Sequence, residues 1–241
     1  MRKTKNLNSK INMEYYDLLA TTTPDKYMPK LECNIDIYPD YITSFNRPGK
    51  FNYTSHTAVA FYEWDSLFNG QKGLLNSIIY NDKKRLDYFK KKYHGVKYFI
   101  SPDYSLINNF EYPLVNMIRV FEARLVSLWF TMELNTIVIP NMTYTNDDSF
   151  ELMVDGLKDC HVVCFSAVSC ITDIDARLLL EKAVKYAVDN LELHAIIVYT
   201  TTYDDSIILD IFKYAVNNNV KIIIPENSLR ISNRGKKNGK N

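Results

Sequence analysis

Glycine is scarce in this chain, at seven of 241 residues. No G-x-G-x-x-G and no G-x-x-x-x-G-K-[S/T] occurs, so the dinucleotide fingerprint and the P-loop are absent, both of which need glycine where backbone meets phosphate. No G-x-S-x-G is present, which removes the strained serine elbow of the α/β-hydrolases. The four histidines, His56, His94, His161 and His194, stand apart, so there is no His-x-x-x-His zinc helix and no paired-histidine nicking motif. The four cysteines, Cys33, Cys160, Cys164 and Cys170, lack the Cys-x₃-Cys-x₂-Cys spacing of an iron–sulfur site. No apolar run approaches the ~20 residues of a membrane span. The first residues are charged and polar rather than signal-like, so no membrane contact and a cytoplasmic chain with reduced thiols are expected.

What is present is the material of a folded domain: 46% hydrophobic and 24% charged residues. The net charge of +1 conceals an asymmetry. Residues 1–10 carry Arg2, Lys3, Lys5 and Lys10, and residues 230–241 carry Arg230, Arg234, Lys236, Lys237 and Lys240, with no acid in either stretch. The segment between is acidic. Polar, lysine-rich ends predict solvated, disordered tails. Nucleic acid gripped through those tails is the alternative.

Residues 1–55, punctuated by Pro24, Pro29, Pro39 and Pro48, predict an irregular wrap with a short helix over Ile11–Ala20 and an edge strand at Ile35–Tyr38. From residue 56 strands and helices alternate. Strands are predicted at Thr57–Tyr62, Val96–Ile100, Thr136–Ile139, His161–Phe165, Ala195–Tyr199 and Val220–Ile224, each short and rich in β-branched or aromatic residues. Helical stretches lie between them. Residues 65–94 read as helical, with a wet basic face along the aromatic- and lysine-rich segment Lys84–Tyr98. Pro113 suits the first turn of a long helix, Asn146 and Asp173 suit N-caps, and Gly156 suits a helix end. This rhythm predicts an α/β fold of six mostly parallel strands in an incomplete TIM-like barrel, with an open doubly wound sheet as the alternative. One domain over 56–229 and a basic disordered tail over 230–241 complete the expected organisation.

Three of these strands end alike, in an apolar run, a proline and a polar side chain: Phe99-Ile100-Ser101-Pro102-Asp103, Ile137-Val138-Ile139-Pro140-Asn141 and Ile222-Ile223-Ile224-Pro225-Glu226. Proline has no N–H and stops the ladder. Parallel strands deliver the residue after each proline to one rim, where α/β folds place their sites. Asp103 and Glu226 are therefore the candidate acid–base groups. Glu63, Asp65, Asn141, Tyr144, Arg124 and Ser166 are candidate ligand contacts. The carboxylates Glu63, Asp65, Asp103 and Glu226 would together suit Mg²⁺, though each alone also suits helix capping. Arg119 and Arg124 lie about 140° apart around their helix, at ~100° per residue, so a joint phosphate clamp is not expected. Arg124, among Phe121, Leu125, Leu128 and Trp129, predicts a buried cation with a structural partner. Cys160 and Cys164 share a strand face opposite His161, so core thiols are expected rather than zinc.

The order of several of these pieces resembles the domain-of-unknown-function family numbered 4417. The matching stretches are Phe61-Tyr62-Glu63-Trp64-Asp65 with Phe68, Ser101-Pro102-Asp103-Tyr104-Ser105 with Pro113, Arg124 with Trp129, Val138-Ile139-Pro140-Asn141 with Tyr144, and Ser149-Phe150 with Asp155-Gly156. In that pattern Tyr144 takes the place of a tryptophan and Glu63 that of an aspartate. The resemblance implies a phage or plasmid setting and no established activity. The residues themselves lead to two expectations. The first is a protein that binds a small or phosphorylated ligand at the rim and is able to support catalysis there. The second is a non-catalytic accessory protein that binds DNA or a protein partner through its basic tails and the Lys83–Lys97 helix, as in the replication of a mobile element.

Overall fold

Alternation along the strands decides the layers. In the computed structural model, which describes residues 21–24, 28–108 and 113–238, β1 (Glu32–Cys33), β2 (Tyr41–Ser44), β3 (Thr57–Ala60), β4 (Tyr98–Ile100) and β5 (Ile137–Ile139) precede β6 (Asp159–Cys160), β7 (Val162–Ser166), β8 (Ala195–Tyr199) and β9 (Lys221–Ile223). Ala58, Ala60, Tyr98, Ile100 and Ile139 enter one core. Val59, Phe61, Phe99 and Val138, one residue out of phase, enter another. Successive side chains on a strand point to opposite faces, so the sheet that carries them is covered on both sides.

That sheet has the order β2-β3-β4-β5, and a second has the order β7-β8-β9, both wholly parallel. β1 and β6 form a separate two-residue ladder that sets Cys33 beside Cys160. The outer face of the first sheet is covered by α1 (Asp65–Asn69), α2 (Leu74–Ile79), α3 (Lys83–Lys92) and α4 (Pro113–Leu134). The intervening core is aromatic, with Phe99 stacked on Phe130 at 3.9 Å and 6°. The inner face of the first sheet and the whole of the second share the other core with α5 (Phe150–Val154), α6 (Ile174–Asn190), α7 (Asp205–Ile211) and α8 (Lys213–Asn217). α9 (Ser228–Asn238) ends the described chain.

The two sheets meet at two seams, each a single parallel bridge. Asn141 bridges to Cys164, and Tyr41 bridges to Glu226. At the first seam Cys164 N–H donates to the Pro140 carbonyl at 2.7 Å and Met142 N–H donates to the Cys164 carbonyl at 2.8 Å. At the second, Ile42 N–H donates to the Glu226 carbonyl at 2.8 Å and Glu226 N–H donates to the Asp40 carbonyl at 2.9 Å. β5 and β9 are edge strands, and each is followed by a proline, Pro140 directly and Pro225 two residues on, that cannot extend its ladder. The residue after each proline pairs with the other sheet instead. The result is a set of parallel strands alternating with helices, whose two sheets touch at both seams through lone bridges only, so among the described residues no continuous ladder closes a barrel.

Several expectations change. Tyr41–Ser44, inside the region expected to wrap irregularly, is a strand in four-residue register with β3, so the sheet begins before residue 56. Ile35–Tyr38 is not a strand; Asp36 and Ile37 bend, and Ile37 is exposed. The helical stretch 65–94 is three helices. Gly73 sits between the first two, where a Cβ would come within 2.2 Å of the Phe68 carbonyl oxygen. Asn81, at φ 49°, separates the second from the third. Residues 230–238, expected as a disordered tail, continue the helix that Asn227 caps by accepting from Leu229 N–H and Arg230 N–H. The predicted helix Ile11–Ala20 lies outside the described residues. No helix among them is long and apolar enough to cross a membrane.

Phe130 is fully buried and stacks on both Phe99 and Phe61. Phe130→Ala is expected to lower unfolding free energy by about 3–5 kcal/mol in a urea titration, the range for emptying a buried aromatic site.

Candidate functional site

Tyr62 leaves the C-terminal end of β3 and crosses to the other sheet. Its hydroxyl donates to Asn141 Oδ1 at 2.8 Å and lies 3.2 Å from Cys164 Sγ. Its ring stacks on Tyr199, at the end of β8, with centroids 4.5 Å apart and planes at 15°. Asn141 completes the junction. Its backbone N–H donates to Ser101 Oγ at 2.7 Å, and its Nδ2 donates to Asp103 Oδ1 at 2.8 Å and to Thr143 Oγ1 at 3.0 Å. Thr143 Oγ1 donates to the same Asp103 oxygen at 3.0 Å. A buried amide with every hydrogen-bonding group occupied holds one orientation.

The electrostatics single out Asp103. Burial raises its carboxyl to about 6, against the pull of the Thr143 and Asn141 hydrogen bonds, and the nearby Asp65 carboxylate adds to the rise. Its Oδ2 has no partner among the described residues. Tyr62 is pushed well above its ordinary value by burial, with Cys164 and Asp103 adding to it. Cys164 is pushed up to about 12, again chiefly by burial, so it stays a thiol. Of these three groups only Asp103 can exchange a proton near neutral pH.

Beside the junction lies a pocket of about 200 Å³. Tyr62 and Tyr199 line it together with Ser44, Glu63, Arg47 and Ser228. Glu63 Oε1 accepts from Ser44 Oγ and from Asn46 Nδ2, each at 3.0 Å. Arg47 Nη1 donates to Ser228 Oγ at 2.8 Å. Burial raises the Tyr199 hydroxyl, Glu63 raises it further and Arg47 lowers it, so both charges act on that hydroxyl. The pocket mouth thus carries one carboxylate, one guanidinium, hydroxyls and an aromatic stack.

The remaining predicted residues take varied places. Asp65 Oδ2 accepts from Ser105 N–H at 3.3 Å, close enough to Asp103 to act on its charge. Tyr144 packs edge-on against Phe150 and near Phe165. Ser166 ends β7 opposite Tyr199. Glu226 turns to α9 instead: its Oε1 accepts from Arg234 Nη2 at 2.6 Å and lies 3.5 Å from Arg230 Nε. No contact joins it to Asp103 among the described residues. Arg124 is buried, and its Nη2 donates to the carbonyls of Met153 and Asp155 at 3.4 and 3.2 Å, tying α4 to the end of α5. Burial lowers it to about 10. Arg119 and Arg124 do line one cleft, but that cleft has room for about one water, at about 10 Å³. No group of three or more His, Cys, Asp or Glu among the described residues could hold a metal ion, so the carboxylates do not assemble into a Mg²⁺ ligand set. All four cysteines are free and buried. His161 and His194, isolated in sequence, stack at 4.7 Å, but before β7 and β8, at the opposite end of the strands.

Arg47, Tyr62, Cys164 and Tyr199 are site residues that the sequence did not place there: Cys164 is read from it only as a core thiol and Tyr62 only as part of a matching stretch. Their partners lie far along the chain, as in the separations of 79 and 102 residues from Tyr62 to Asn141 and Cys164.

Asp103 also predicts a pH dependence. Its carboxyl titrates near 6 when folded and near 3.8 otherwise. The native state therefore binds the extra proton between these values and loses stability as pH rises through them. Asp103→Asn is expected to remove this loss. Its stability relative to wild type should gain on the order of 2 kcal/mol from about pH 4 to pH 7, read from urea titrations at each pH.

No curated protein and no solved structure matches the chain. One family model does, described as Domain of unknown function (DUF4417), over residues 23–215. The match takes in the junction from Tyr62 to Tyr199 and the pocket's Arg47 and Glu63, and on its extent the chain belongs to the DUF4417 family.

Proposed function

We propose that this protein binds a small polar ligand at the C-terminal rim of its parallel strands, in the pocket over Tyr62 and Tyr199. Asp103 does not line this pocket but is coupled to it through Asn141 and the Tyr62 hydroxyl, and in this reading it is the proton-exchanging group behind the site. The observation that carries the reading is the junction itself: side chains from the ends of β3, β4, β5 and β8 converge with Cys164 through hydrogen bonds and a ring stack. Such convergence at strand ends is how parallel α/β folds build sites. The lining supports an uncharged or zwitterionic ligand over a phosphate, because Glu63 lines the pocket together with Arg47 and would repel a dianion. Glu226, engaged by Arg230 and Arg234, belongs in this reading to the frame that holds α9 beside the pocket.

Binding of nucleic acid through the C-terminal tail draws less from the geometry. Arg230 pairs with Asp205 and Arg234 with Glu226, so neither is free to meet phosphates. A phage or plasmid setting and a reducing, cytoplasmic compartment belong to the reading as well. The four unpaired cysteines support the compartment.

A nuclear magnetic resonance screen of small polar metabolites tests the proposal. A binder is expected to shift the ring signals of Tyr62 and Tyr199. Arg47→Ala, which changes an exposed side chain, should weaken that binder by about tenfold, equivalent to about 1.4 kcal/mol. Binders that leave both rings unmoved and bind Arg47→Ala as tightly as wild type would place the ligand elsewhere.

A further inference from the structure

A second pocket opens on the far side of Phe45, away from the tyrosine stack. It measures about 470 Å³ and is walled by Phe45, Phe68, Tyr88 and Tyr93. This size lies within the ~300–1,000 Å³ of ordinary small-molecule sites. Its charged lining residues are Lys72 and Lys92, and no acidic residue lines it.

Lys92 is the informative group. It ends a run of three lysines on the last turn of α3, whose members differ in their surroundings. Lys90 Nζ pairs with Glu133 at 2.5 Å, and Lys91 is exposed. Lys92 is half-buried, with its ammonium 5.3 Å from the Phe45 ring centroid and 5.1 Å from that of Tyr93. No hydrogen-bond acceptor and no carboxylate meets it among the described residues. Ring faces offset part of the cost of burying a cation, but they offer its three N–H donors no acceptor and leave them to solvent or a ligand. Burial accordingly lowers its pKa, as expected for a cation short of counter-charge. A position at a helix C-terminus favours any cation, yet Lys90 and Lys91 satisfy that preference without turning inward.

We propose that this pocket binds a carboxylate with an aromatic or alkyl body, the anion on Lys92 and the body against Phe68 and Tyr88. The ligand would supply the acceptor that Lys92 lacks, and the aromatic walls would cover its apolar part. This site is separate from the pocket over Tyr62 and stands or falls independently of it.

Isothermal titration of the full chain with phenylbutyrate tests the assignment, with phenylbutyramide as the neutral control. Wild type should bind the acid saturably and the amide at least about tenfold more weakly, as expected for the loss of a charge-assisted hydrogen bond. Lys92→Met keeps the stem and should weaken the acid by a similar factor, whereas Lys92→Arg should hold it within about threefold. Equal affinity for acid and amide, or no saturable binding of the acid by wild type, would overturn the proposal. So would a folded Lys92→Met that binds the acid within about twofold of wild type. The acid–amide comparison needs no variant and decides the matter even where a substitution fails to fold.

Discussion

The side chain of Asn141 joins what the backbone leaves nearly separate. Two parallel sheets meet here through a single bridge, and a lone bridge is a weak link in a fold held mainly by burial and ladders. Asn141 reinforces it. Its amide ties Asp103 and Thr143 to Tyr62, and its backbone N–H donates to Ser101 Oγ while its neighbours Pro140 and Met142 bond to Cys164. A buried amide so completely used is costly to misplace, since each lost partner leaves a desolvated group behind. The seam and the candidate site are therefore the same set of contacts. The residues that close one sheet against the other also fix the carboxyl and the tyrosine that the site presents.

Proline gives the seams their positions. In β5 and β9 it ends the ladder of an edge strand and turns the next residue outward to the neighbouring sheet. The polar residues after the two prolines then diverge in role. Asn141 turns its side chain into the interior and organises Tyr62 and Asp103. Glu226 turns to α9 and holds Arg230 and Arg234. One local pattern thus yields one site residue and one frame residue, and surroundings rather than pattern decide between them.

The strand–helix rhythm was legible because buried parallel strands are short apolar runs bounded by caps and prolines. Ala195–Tyr199 is found as predicted, and Asn146 and Asp173 cap as their positions suggest. Tyr41–Ser44 was not legible: four residues among prolines and polar side chains carry little periodicity, and their burial comes from a ladder with β3 and a bridge to Glu226. The helix over residues 230–238 was obscured by its basic composition, although Glu226, Arg230 and Arg234 recur at helical spacing and Asn227 is a good cap. Of the site, Asp103 and Asn141 could be placed because strand ends are local features. Arg47, Tyr62 and Tyr199 could not, because their importance lies in contacts that only the closed chain makes.

Amide hydrogen exchange at the seam tests the account most directly. If Asn141 locks the two sheets together, the N–H groups of Cys164 and Met142 should be protected nearly as well as those of central strand β8. In a folded Asn141→Ala variant that protection should fall while β8 keeps its own. Exchange of Cys164 and Met142 at the rate of open loops in wild type, or protection unchanged in the variant, would contradict the claim that this side chain holds seam and site together.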